Sequence, residues 1–214
     1  MGFGIALIGY AFLLLNEMGG AVLAAPLLAY GLFLASRLES GFLRASVCSL
    51  FLLPRGILQV CSVIGALKLE DHPTLNTATY FINLAAWLLM SYFWLSTVAK
   101  IAKDCNAAKL ERQARNRLTF TAFFIMLSFA AFILNLTGVL GGYGYIVSSA
   151  QYILQYTVII VNTIFMHTCF VLITSERQFE KDKQELAKEH AKALEKRHKE
   201  QQEEAERIAR RKKR

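Results

Sequence analysis

The sequence predicts an all-α protein: a polytopic transmembrane helical bundle of about six spans, the first two either full crossings or one re-entrant hairpin, followed by a long charged C-terminal helix. Three observations carry this. Hydrophobic residues make up 55% of the 214 residues. Charge is clustered: residues 1–36 hold no Lys or Arg and a single acid, Glu17. Apolar runs of about 20 residues, enough to cross ~30 Å of hydrocarbon at ~1.5 Å per residue, recur between short polar stretches. Soluble helices and strands need a wet face, and most of this chain lacks one.

Residues 3–15 and 21–36 are each short for a crossing, and Asn16-Glu17-Met18-Gly19-Gly20 between them reads as a tight turn. Whether they span fully or re-enter, Arg37 returns to the side of Met1. The stretch Ala21 to Ala25 offers small residues of the kind a signal peptidase cuts after, but a signal peptide opens with positive charge, and the first basic residue is Arg37. The segment is therefore read as retained. Ala6 stands where a myristoylation signal at Met1-Gly2 wants Ser or Thr.

Residues 42–67 are long enough to span but carry Arg44 near the start and Pro54-Arg55-Gly56 in the middle. Proline removes a backbone hydrogen bond and crowds the preceding turn, so a kink or break is expected there. Residues 79–99, 118–140 and 145–174 are long and uncharged and read as three clean spans. Gly138 and Gly142 have helix-packing spacing, but Gly141-Gly142-Tyr143-Gly144 reads more simply as a turn.

Orientation follows from the basic residues. With the N-terminus in the cytosol, Arg37, Arg44, the cluster Lys100, Lys103, Lys109, Arg112, Arg115 and Arg117, and the C-terminal tail all face the cytosol. Residues 16–20, 68–77 and 141–144 then face outward with one basic residue, Lys68. Both termini are thus expected inside, with a membrane domain over 1–174 and a charged helical tail over 175–214.

The tail has no Gly or Pro and carries i,i+4 pairs such as Glu195 with Lys199 and Glu206 with Arg210. Its apolar stripe, Phe179, Leu186 and Ala193, is too thin for a sustained coiled coil, so a solvated single helix is preferred over homo-oligomerisation through it. Arg210, Arg211, Lys212, Lys213 and Arg214 form a basic end suited to anionic lipid headgroups or a cytosolic protein, with nucleic acid the weaker reading.

Ionisable groups inside a membrane are costly and point to sites. Arg55, counted from either end of its segment, falls near the midplane and should face the bundle interior, where Glu17, Asn83, Asn135, Gln151, Gln155 and Asn162 are candidate partners. It either contacts an anionic substrate or gates a path, or else satisfies carbonyls freed by the break. His167, without a second membrane His or a paired carboxylate, reads as a hydrogen-bonded structural residue rather than a proton shuttle. Cys48, Cys61, Cys105 and Cys169 lack C-x-x-C spacing and predict neither a disulfide framework nor a zinc site. No paired acids, His-rich helix or activated nucleophile is evident, so neither an enzyme nor a cofactor is expected.

The opening Gly2-Phe3-Gly4, Gly9-Tyr10 and Leu13-Leu14-Leu15-Asn16 resembles the start of uncharacterised multispan membrane proteins of Gram-positive bacteria, over about the first tenth of the chain. The resemblance implies a bacterial plasma membrane and brings no activity with it. Two functional readings follow. The preferred one is a non-enzymatic anchor or interaction protein presenting the charged helix; the alternative is a small transporter or channel working through the broken segment at Arg55. A dry, packed bundle favours the first, and polar residues from several spans converging on Arg55 favour the second.

Overall fold

The structure is a computed structural model and describes residues 2–139 and 141–172. The charged tail helix, its weak coiled-coil stripe and the basic cluster Arg210, Arg211, Lys212, Lys213 and Arg214 lie outside the described residues. Among the described residues the chain is all-helical, with no strand.

Helix α1 (Gly2–Phe12) runs on as a 3-10 segment (Leu13–Met18). Gly19, at φ 83°, ends it in the left-handed conformation that glycine adopts without penalty. That geometry lets the Gly19 and Gly20 amides donate to Asn16 O at 2.9 Å and Leu15 O at 2.8 Å. The chain then reverses into α2 (Ala21–Ala35). The two pack along Gly2, Ala6 and Gly9 on one side and Ala24, Leu28 and Gly31 on the other, all buried. A Cβ on Gly9 would lie 2.7 Å from Leu28 N, and one on Gly31 would collide with Ala6 N. Small residues here let backbone meet backbone, the packing that a lipid environment rewards.

Helices α3 (Gly41–Leu50) and α4 (Leu53–Val63) follow, separated by a break at Phe51 and Leu52. The break falls ahead of Pro54. A proline ring clashes with the carbonyl four residues earlier, here that of Leu50, so α3 stops there. Pro54 itself sits in the first turn of α4, where its missing N–H is no loss.

Helix α5 (Pro73–Asp104) and helix α6 (Ala108–Leu136) are 32 and 29 residues long. The basic stretch expected as a loop over 100–117 is mostly the ends of these two helices, with a turn confined to residues 105–107. Favourable helix formers such as Lys, Arg, Ala and Leu dominate that stretch and extend both helices beyond their apolar parts. After a turn in which Gly138 and Gly141 have positive φ, helix α7 covers residues 144–172. A Cβ on Gly138 or Gly142 meets nothing within 4 Å, so these glycines serve the turn and not helix packing.

Among the described residues four stretches are long and apolar enough to cross a membrane: Gly41–Val63, Pro73–Asp104, Ala108–Leu136 and Gly141–Leu172. The arms of the first hairpin, Gly2–Met18 and Ala21–Ala35, are shorter apolar helices. Successive helices run antiparallel. Gly41 lies against Thr97 while Arg55 reaches Asn76, and Trp87 meets Phe124 while Tyr80 meets Phe132. At one end of the bundle an ion pair of 2.8 Å joins Lys100 to Glu39. The opposite end gathers the Gly19 turn, α4, the start of α5, the end of α6 and the start of α7.

Candidate functional site: a polar cavity at one end of the bundle

Polar side chains on three of the apolar helices recur at helical spacing. On α5 they are Asn76, Tyr80 and Asn83; on α6, Thr121, Ser128 and Asn135; on α7, Ser148, Gln151, Gln155 and Asn162. Offsets of three, four and seven put each set on one face of its helix. The faces converge, and α4 adds Arg55 and Gln59 while the 3-10 segment adds Asn16 and Glu17. All but Thr121 and Asn162 line a cavity of about 210 Å³, whose wall also includes Tyr152, Trp87, Phe124 and Phe132.

Arg55 lies in the first turn of α4, half-buried. Its Nη1 donates to the Asn76 side-chain oxygen and, at 3.5 Å, to the Asn76 carbonyl. The guanidinium carbon stands 5.8 Å from the centroid of Tyr80. Tyr80 is fixed in turn, stacked on Phe132 at 4.4 Å and accepting a 2.8 Å hydrogen bond from Gln151. Asn135 donates to Ser148 at 3.3 Å across the α6–α7 turn. Glu17 is exposed and lines the same cavity, yet it forms no ion pair with Arg55; the ion pairs among the described residues are Lys100 with Glu39 and Arg115 with Glu111.

Two wall atoms have no protein partner. Gln59 Oε1 and Ser128 Oγ are buried and unbonded, in residues only 5% and 1% exposed. An unpaired buried polar atom costs about 1–3 kcal/mol, so a bundle built for stability alone would carry apolar residues here.

Beneath Trp87 and Phe124 lies a second polar layer around Tyr10, which is fully buried. Trp87 Nε1 donates to the Tyr10 hydroxyl at 3.3 Å, and Asn162 Nδ2 donates to it at 3.1 Å and to Thr121 at 3.0 Å. Asn162 Oδ1 is left without a partner. This layer ties α1, α5, α6 and α7 together and closes the cavity from below.

Of the residues the sequence singled out, Arg55, Glu17, Asn83, Asn135, Gln151 and Gln155 line one cavity. Asn162 sits one layer beneath. His167 is elsewhere: it is exposed, beside Leu7, Ile8, Ala11 and Phe12 in an apolar groove. The Arg55 guanidinium meets Asn76 in the first turn of α5. Its partner, Asn76, is outside the expected set, as are Gln59, Tyr80, Ser128 and Tyr152. The helical spacing of polar residues within apolar spans is the signal that could have found Gln59, four residues from Arg55, and Asn76, four from Tyr80.

The arrangement offers one cation, one carboxylate, several amides and hydroxyls, and aromatic faces. Among the described residues no three His, Cys, Asp or Glu side chains are grouped to hold a metal ion. It is chemistry for binding a polar molecule through hydrogen bonds and charge. No family model, curated protein or solved structure matches the chain.

Proposed function

We propose that the protein is a small transporter whose cavity takes up a small polar solute from the outer side of a membrane, with the broken α3–α4 segment and Arg55 at its centre. The observation that carries this reading is the cavity itself, where polar side chains from the 3-10 segment, α4, α5, α6 and α7 converge with Arg55 inside an apolar bundle. Polar groups within an apolar bundle are retained at a cost, and a bound solute that pairs with them offsets it. The other reading, an anchor presenting the charged tail, draws its support from residues outside the described structure and gives the cavity no role.

Six crossings with both termini in the cytosol fit the alternating helices and the basic residues gathered at one end, from Arg37 to Arg117. The cavity lies at the opposite end, which on this reading is extracytoplasmic. A bacterial plasma membrane is the host that the N-terminal resemblance suggests.

Single cysteines on a background with the native cysteines replaced test the proposal in intact cells with a small, membrane-impermeant thiol reagent. Gln155→Cys, half-buried in the cavity wall, and Thr74→Cys, at the start of α5, are expected to label from outside. Met126→Cys, on the exposed apolar face of α6, and Ala108→Cys are expected not to. A reactive Thr74→Cys with an inert Gln155→Cys would remove the open cavity; outside labelling of Ala108→Cys would reverse the orientation.

A further inference from the structure

Resting on the transporter reading, we infer that the solute is a small zwitterion, one molecule that presents a carboxylate to Arg55 and a cationic nitrogen to Glu17. Arg55 and Glu17 line the same cavity without pairing with each other. No ion-pair contact joins them, so each keeps hydrogen-bonding capacity for a ligand group of opposite charge. The formal charges of these two groups cancel. A lone anion entering would meet Arg55 but be repelled by Glu17, and a lone cation would meet the reverse. A molecule with both charges and no net charge satisfies both groups at once.

The local geometry assigns the ends. Both hydrogen bonds that Arg55 makes to Asn76 leave from Nη1, which orients the guanidinium plane. The remaining donors can take a carboxylate in the two-point manner to which a planar fork is suited. Glu17 accepts only, and Tyr152 in the same wall is an aromatic ring of the kind that attracts ammonium groups. At about 210 Å³ the cavity is smaller than the ~300–1,000 Å³ sites that hold drug-sized ligands, so the solute has the size of an amino acid or a betaine.

The full-length protein in lipid nanodiscs tests this by thermal shift and equilibrium binding. The probes are the common α-amino acids and glycine betaine, each zwitterion set beside its matched carboxylic acid without the nitrogen and its matched amine without the carboxylate, plus neutral polyols. At least one zwitterion is expected to raise the melting temperature saturably, with half-effect about tenfold or more below both matched ions, because removing either charged end of the solute weakens binding by that order. Glu17→Gln should erase the preference for the zwitterion over its acid. Arg55→Lys, which keeps the charge and loses the planar fork, should weaken the zwitterion by a similar factor. If either variant fails to fold, the matched probes on the unaltered protein still decide. An acid, amine or polyol that binds as tightly as any zwitterion overturns the inference and leaves the transporter reading standing. No response to any probe also overturns the inference, and the Gln155→Cys labelling then decides the transporter reading on its own.

Discussion

The α1–α2 hairpin and the cavity between α4 and α7 are built from opposite materials. Along the hairpin seam side chains are nearly absent, and Gly2, Gly9 and Gly31 let one backbone rest on the other. Around the cavity, long polar and aromatic side chains such as Arg55, Gln59, Tyr80 and Gln155 hold four helices apart. The seam gains stability from close backbone packing, whereas the cavity leaves polar atoms unpaired. The two regions therefore divide the bundle into a part specified for packing and a part that carries the cost of unpaired polar groups.

Three substitutions sharpen or break that division. The largest effect is expected at the seam. Gly31→Leu drives a side chain into the backbone of Ala6 and Gly2, neighbours that cannot yield as a flexible side chain would. Overpacking costs about 1–3 kcal/mol where neighbours can shift, and here it should exceed about 3 kcal/mol. Little monodisperse protein is expected on size-exclusion chromatography, and normal yield and melting would show that the helices separate freely.

An intermediate effect is expected at the layer between the two regions. Tyr10→Phe keeps the ring but removes the oxygen that accepts from Trp87 and Asn162. Leaving buried donors unpaired costs about 1–3 kcal/mol, and at about 2–4 °C per kcal/mol for a chain of this size the melting temperature should fall by several degrees. An unchanged melting temperature would mean that the layer does not couple α1 to α5 and α7.

The smallest effect, with the opposite sign, is expected in the cavity wall. Ser128→Ala removes a buried hydroxyl without a partner, so the melting temperature should hold or rise, by up to about 1 kcal/mol of stability. A clear loss would show that the hydroxyl is structurally paired and that the wall belongs with the packed part.

Hydropathy made the apolar helices legible, because lipid-facing and buried residues are both apolar and a spanning run cannot hide. It also exposed Arg55, since a charge within such a run stands out. The break was legible in kind but displaced: Pro54 announces it, yet proline acts on the carbonyl four residues back, and the interruption appears at Phe51 and Leu52. The extended ends of α5 and α6 were obscured because a charged amphipathic turn beyond a span looks like a loop to a hydropathy reading. Which amides would share a site was only partly legible. Asn83, Gln155 and Asn135 are polar residues on separate helices, and only the antiparallel packing shows that they meet while His167 turns away. Asn76 was hidden by its place in a polar connecting stretch, where an amide is unremarkable.

The hairpin's length has an effect on the lipid around it. Its second arm has 15 residues and reaches about 22 Å, well short of ~30 Å of hydrocarbon. Mismatch of this kind is relieved by local thinning of the bilayer, at a fraction of a kcal/mol per Å. The Gly19 turn packs beside Val60 while α4 continues to Val63, so the hairpin stops short of its neighbour. On the transporter proposal, headgroups drawn down to that level would form a dimple at Glu17, one wall of the cavity. The membrane itself would then supply the vestibule, and the thickness of the surrounding lipid would set how far a solute must leave bulk water to reach Arg55.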